Sequence, residues 1–177
     1  YSSYYGSRVI VGQAYRIHGY KDSNNNNNYD HSWSQGKRSA KENSGVNEHP
    51  YFYNIMDIAV NDNNSDLYIA DTDNDRIVWS PSWGDNFWDL EAFNPSLDLS
   101  LDKPEGVAAV EVDDEEIVYI ADTGNKRVVK LVNMNYEKEW DTSEWDTGDH
   151  VADGSELEGP RKIAVDSSDN IYVVDNI

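Results

Sequence analysis

This chain predicts an all-β fold made of repeated four-stranded antiparallel units, and three observations carry the prediction. The first is recurrence: Tyr68-Ile69-Ala70-Asp71, Tyr119-Ile120-Ala121-Asp122 and Tyr172-Val173-Val174-Asp175 repeat one phrase. Their spacing of about 50 residues is that of a supersecondary unit that cannot bury its apolar face alone and stacks on its neighbours. The second is a short apolar run ahead of each phrase, Ile58-Ala59-Val60, Val107-Ala108-Ala109-Val110 and Ile163-Ala164-Val165. The third is the continuation, in which Asp71-Thr72-Asp73-Asn74-Asp75-Arg76-Ile77-Val78 matches Asp122-Thr123-Gly124-Asn125-Lys126-Arg127-Val128-Val129.

Each unit therefore reads strand, polar turn, strand, turn, strand. The turns at 61–66, 113–116 and 166–170 are Asp, Asn, Ser and Glu stretches of hairpin length. Small and β-branched residues in the first run suit an inner strand crowded on both faces. In the second run Tyr and Ala point one way, Ile and Asp the other, because side chains alternate along a strand. A fourth, less regular strand fits Phe87-Trp88-Asp89-Leu90 and Tyr136-Glu137-Lys138-Glu139-Trp140. Four antiparallel strands in a unit of this length is the grammar of a β-propeller blade.

The elements Pro160 to Asp166, Asn170 to Asp175 and Asp122 to Val128 together resemble the NHL repeat, and Val11-Gly12-Gln13 after Arg8-Val9-Ile10 resembles the start of the linker between such repeats. The match covers about half the chain, with idiosyncratic segments between. The resemblance implies one NHL-type propeller segment, divided into outer strands of a blade (1–17), a polar insertion (18–50), a blade (51–95), a second blade (96–145) and the inner strands of a further blade (146–177). On this reading Arg8 to Val11 is the third strand of a blade whose first two are missing, and the last two runs are the inner half of another. About three blade equivalents result, incomplete at both ends, whereas closed rings take about four to eight. The expectation is a piece of a longer chain, or copies that complete one another.

Composition excludes several partners. With 34 acidic and 14 basic residues the formal charge is −20, so nucleic acid and anionic membranes meet long-range repulsion. No apolar stretch reaches the roughly 18 residues of a spanning helix, so membrane insertion is not expected. Zero cysteines exclude disulfides, thiolate metal sites and cysteine nucleophiles without fixing the compartment.

Candidate chemistry is sparse. Asp71 and Asp122 lie five residues before Arg76 and Arg127, so each carboxylate is expected to meet its guanidinium across the turn, as a structural pair repeated in every blade. Asp175 is the third such residue, with Arg8 its expected partner in a composite blade. The alternating carboxylates of Asp71-Thr72-Asp73-Asn74-Asp75 suggest calcium, but positions six and twelve of a helix-loop-helix site would be Arg76 and Ser82 rather than Gly and Glu. No cofactor is therefore expected, and calcium assembled from separate blades stays an open alternative. Histidines 18, 31, 49 and 150 all fall in linkers.

Enzymes of this resemblance include a peptidyl-hydroxyglycine lyase, which holds zinc by histidines following the Pro of inner strands; here Glu105 and Arg161 stand there. The calcium cluster of lactonase-like propellers is not evident either. Six Trp and 12 Tyr pack blade faces or form a sugar or peptide platform, with Trp83 and Trp88 in one unit and Tyr29 and Trp33 in the polar insertion as candidate surface residues. The leading expectation is a noncatalytic scaffold for protein–protein interaction or self-assembly, extracellular or at the cell surface. The alternatives are a carbohydrate- or calcium-dependent binding module and a fragment of a lyase- or lactonase-like propeller enzyme.

Overall fold

In the computed structural model, residues 2–5, 8–13, 16–21, 30–35, 52–61, 63–81, 87–90, 94, 97, 99–140, 157–166 and 168–176 are described, with main chain alone for residues 2–35 and 135–140. Among them the fold is all-β, its strands antiparallel and its helical content close to a 3-10 turn at Thr72–Asn74. No helix among the described residues is long and apolar enough to cross a membrane.

The strands form four meanders, each in chain order. The first holds β1 (Ser2–Tyr5), β2 (Arg8–Gln13), β3 (Arg16–Lys21) and β4 (Asp30–Gln35), and the second holds β5 (Ile55–Val60), β6 (Leu67–Asp71), β7 (Arg76–Ser80) and β8 (Trp88–Asp89). A third holds β9 (Pro104–Val112), β10 (Glu115–Asp122), β11 (Arg127–Val132) and β12 (Asn135–Trp140); β13 (Pro160–Val165) and β14 (Ile171–Asp175) form a two-stranded fourth. The first strands lie side by side: β1 and β2 touch β5, β5 and β6 touch β9, and β9 and β10 touch β13.

Register follows the turns. Asp113 and Asp114, with φ of 53° and 66°, close the β9–β10 hairpin between paired Val112 and Glu115. Asn133 and Met134, at 49° and 61°, close β11–β12 between Val132 and Asn135. Two consecutive positive φ values match the right-handed strand twist, and apart from Gly it is Asp and Asn that tolerate them best, Met134 being the exception here.

Period-two alternation then decides the packing. Ala59, Tyr68, Ala70 and Ile77 of the second sheet pack against Val107, Val118, Ile120, Val129 and Leu131 of the third, while Ile58, Val60, Leu67, Ile69 and Val78 line the opposite face. The third sheet repeats the division, presenting Ala108, Tyr119, Ala121 and Val128 to Ile163 of the fourth. Tyr68 is 0% exposed and Tyr119 1%, so the recurring Tyr fills the space between sheets, and the small Ala beside it permits the close approach.

The N-terminal sheet departs from the sequence reading. Arg8–Gln13 is the second strand of its sheet, pairing with Ser2–Tyr5 on one side and Arg16–Lys21 on the other, so it is not a third strand lacking inner partners. Strand Asp30–Gln35 and most of Arg16–Lys21 also fall inside the segment expected as a polar insertion. Main-chain pairing across a sheet outweighs weak strand propensity in polar stretches.

Candidate functional site

The most conspicuous polar residues serve the fold at equivalent places in successive sheets. Asp71 accepts hydrogen bonds from the Tyr53 main-chain N–H (2.7 Å), Asn74 Nδ2 (2.7 Å) and Arg76 Nε (2.8 Å). Asp122 accepts from the Asp102 N–H (2.8 Å), Asn125 Nδ2 (2.8 Å) and Arg127 Nε (2.7 Å). Asp175 accepts from the N–H groups of Gly159 (2.7 Å) and Glu158 (3.0 Å). Each carboxylate thus fastens the chain leading into the first strand to the far end of the second strand of its own sheet.

The local backbone explains the pairing with Arg. Asp75 and Lys126 adopt left-handed φ of 54° and 56°, which returns the chain so that Arg76 and Arg127 stand opposite Asp71 and Asp122 in register. Arg127 Nη2 also donates to the Leu99 carbonyl. Burial pushes the carboxyls of Asp71 and Asp122 above their ordinary range, and the hydrogen bonds and guanidinium beside each pull them back.

The Thr after Asp71 and after Asp122 does a different task. Thr72 Oγ1 donates to the Pro104 carbonyl at 2.7 Å, and Thr123 Oγ1 to the Pro160 carbonyl at 2.6 Å. Each hydroxyl ties its sheet to the first residue of the next sheet's first strand. A second tie recurs at the other end of the strands: Tyr119 Oη donates to Asp169 Oδ1 at 2.5 Å, and Asn61 Nδ2 to Glu116 Oε1 at 2.8 Å. Glu116 and Asp169 occupy equivalent places, three residues before Tyr119 and Tyr172.

A third recurring feature lies where the first strands begin. Ile55 pairs with Asp71 but Asp57 with Ala70, Pro104 with Asp122 but Gly106 with Ala121, Pro160 with Asp175 but Lys162 with Val174. Met56, Glu105 and Arg161 are therefore the extra residues of three equivalent β-bulges, a device that re-aims a side chain at a sheet rim. Around them Arg161 Nη1 meets Glu105 Oε2 at 2.8 Å, and Lys162 Nζ reaches the Met56 carbonyl (2.5 Å), the Glu105 carbonyl (3.2 Å) and Asp57 Oδ1 (3.3 Å). Asp57 Oδ2 in turn accepts the Val107 N–H at 3.1 Å. Burial raises the Asp57 carboxyl, against the pull of Lys162. This rim joins three first strands by matched charges, with the Arg161 and Lys162 donors turned on Glu105, Asp57 and main-chain carbonyls.

Neither arrangement gathers the ligands of a metal centre. Among the described residues no three His, Asp or Glu side chains group as a metal would require. Within the acidic run, Asp71 faces its staple while Asp75 Oδ1 accepts the Lys103 N–H at 3.1 Å, so these two carboxylates serve different partners.

The other candidates are dispersed. Trp88 is half-buried in β8. Arg8 lies in β2 and Trp33 in β4, with no side-chain position described, and Trp83 and Tyr29 lie outside the described residues. Asp175 holds main-chain N–H groups, and its expected pairing with Arg8 falls outside the described side chains. Sequence reasoning missed Thr72, Thr123, Asp57 and Lys162; the repeated Asp-Thr dipeptide was the available signal for the first two.

Comparison with protein-family models finds no match, and comparison with curated proteins finds no matching relative.

Proposed function

We propose that the chain is a noncatalytic, NHL-type β-propeller segment that serves as a scaffold for protein–protein interaction or self-assembly. The observation that carries this reading is the expenditure of the repeated polar residues: Asp71, Asp122 and Asp175 staple their own sheets, and Thr72 and Thr123 hold the next. A group repeated in every unit serves the unit, and sheet surface is what such a protein offers to partners. Side-by-side first strands, and second and third sheets buried on both faces, support radial stacking into blades. The rim where propeller enzymes of the resembled family hold zinc carries Met56, Glu105 and Arg161, which supply no imidazole.

Electron microscopy of the native particle tests the architecture. Sheets converging on a central axis are expected, and sheets that stack without such an axis would refute the propeller. Assays of the purified chain with peptidyl-hydroxyglycine and lactone substrates test the noncatalytic half; turnover abolished by Glu105→Gln would refute it.

A further inference from the structure

Asn61, Asn63 and Asn64 share the β5–β6 turn, and they are used differently. Asn61 Oδ1 accepts the Asn63 N–H at 3.1 Å, and Asn61 Nδ2 donates to Glu116 Oε1 at 2.8 Å. Asn64 Oδ1 accepts the Asp66 N–H at 2.8 Å, and Asn64 Nδ2 reaches the same Glu116 oxygen at 3.0 Å. Main-chain bonds from the Ser65 N–H to the Asn61 carbonyl (3.0 Å) and from the Asn61 N–H to the Asp66 carbonyl (2.9 Å) close the turn. Asn63 is exposed, and among the described residues neither its side-chain amide nor the Ser65 hydroxyl meets a hydrogen-bond partner. Those two groups are the ones that matter in Asn63-Asn64-Ser65, an Asn-x-Ser triplet whose middle residue is not Pro. The other Asn-x-Ser triplet, Asn94-Pro95-Ser96, has Pro in the middle, and Asn94 Nδ2 donates to the Met134 carbonyl at 2.9 Å. One triplet is presented on a turn held firm by its neighbours, and the other is closed.

We propose that Asn63 is the acceptor of an N-linked oligosaccharide. The donor is an oligosaccharide carried on a polyprenyl pyrophosphate. The Asn63 amide nitrogen forms a C–N bond to the anomeric carbon, and the C–O bond from that carbon to the pyrophosphate breaks. The polyprenyl pyrophosphate leaves with the electron pair, and the amide nitrogen gives up one of its two protons. A surface turn accommodates a bulky, hydrated group without disturbing any packed face. The Val60–Leu67 pair borders this turn, whereas the Ile55–Asp71 pair and the Met56 bulge lie at the other end of β5 and β6. A glycan on Asn63 therefore stands at the opposite end of the strands from the rim of Asp57 and Lys162 and leaves that rim clear. Such a glycan is independent of the scaffold reading, and it implies passage through a compartment that holds the transferase.

Peptide mass mapping of the native protein, before and after release by a peptide N-glycosidase in heavy-oxygen water, tests the assignment. The peptide containing Asn63 is expected to carry an oligosaccharide mass, and release is expected to leave heavy-oxygen-labelled Asp at that position. A bare Asn63 in the native protein would overturn the site while the scaffold reading stands. The full chain expressed through a eukaryotic secretory pathway supplies the second measurement. One glycan per chain is expected, lost in Asn63→Gln and in Ser65→Ala and retained in Asn94→Gln. The far-ultraviolet spectrum and urea midpoint of Asn63→Gln are expected to match those of the deglycosylated chain, because the Asn63 side chain holds nothing in the turn. A secreted, folded chain without a glycan, or a glycan that survives Asn63→Gln, would overturn the proposal. A particle without a central axis removes the propeller and leaves the occupied Asn63 standing.

Discussion

Replacing Asp71 with Ala deletes a carboxylate that is fully buried and accepts from Tyr53, Asn74 and Arg76. The Arg76 side chain, 5% exposed, keeps a second carboxylate, Asp89 Oδ2, at 3.7 Å. Removing one partner of a buried ion pair costs about 3–5 kcal/mol. The Tyr53 N–H loses its acceptor, which adds about 1 kcal/mol, and Asp89 offsets part of the first figure, leaving about 4 kcal/mol. Against a typical domain stability of about 5–15 kcal/mol that is a large fraction. Arg76→Met keeps the volume but leaves the carboxylate with two neutral donors, at a cost of about 3 kcal/mol at neutral pH. Loss of the guanidinium raises the Asp71 carboxyl further, so this cost shrinks as acid protonates it. Combining Asp71→Ala with Arg76→Met recovers about 1–2 kcal/mol of the summed single effects. Urea unfolding followed by tryptophan emission, read at several pH values, measures all three. A loss under about 1 kcal/mol for Asp71→Ala, or additive single effects, would show that the pair is incidental to the fold.

Three further outcomes are expected. Thr123→Val removes the hydroxyl that reaches the Pro160 carbonyl, costing about 1 kcal/mol; hydrogen exchange quickens in β13–β14 and stays unchanged in β5–β7. Gly124→Ala places a methyl 2.4 Å from Asp102 Cγ and 2.7 Å from its carbonyl oxygen, costing about 1–3 kcal/mol, measurable as a lower urea midpoint. Asp57, Asp71 and Asp122 have folded pKa values raised above the ordinary 3.8, so the folded chain binds protons more tightly than the unfolded one. Through these groups stability rises as pH falls from neutral toward 3.8, in the same sense as relief of repulsion among charges totalling −20. A urea midpoint that falls steadily from pH 7 to about 5 would contradict the assignment.

What could be read in advance follows from how local each feature is. The five-residue step from Asp71 to Arg76 and the opposed faces of Tyr68 and Ile69 depend on one turn and on strand alternation, and both stood in the sequence. The Met56, Glu105 and Arg161 bulges did not, because a bulge is a mismatch against a partner strand and leaves no composition of its own. Lys162 reaching the Met56 carbonyl joins the fourth sheet to the second, which no local pattern encodes. The placement of Arg8–Gln13 was misjudged because its partners Ser2–Tyr5 and Arg16–Lys21 are short or polar, and their pairing is decided by register rather than propensity. For Trp88, half-burial depends on its neighbours in space, which the chain alone did not name.

The Thr72 and Thr123 hydroxyls end on carbonyl oxygens, not on side chains. Every residue type carries that oxygen, so drift at the opening of a first strand leaves the acceptor intact: Ile55 stands where Pro104 and Pro160 stand. The second and third sheets each carry their own carboxylate and the hydroxyl for the successor on consecutive residues, Asp71-Thr72 and Asp122-Thr123. A duplicated or exchanged unit of this kind therefore arrives with both fastenings in place, and to the hydroxyl its new neighbour contributes only backbone. An array joined in this way can lengthen by copying before any compensating substitution has occurred.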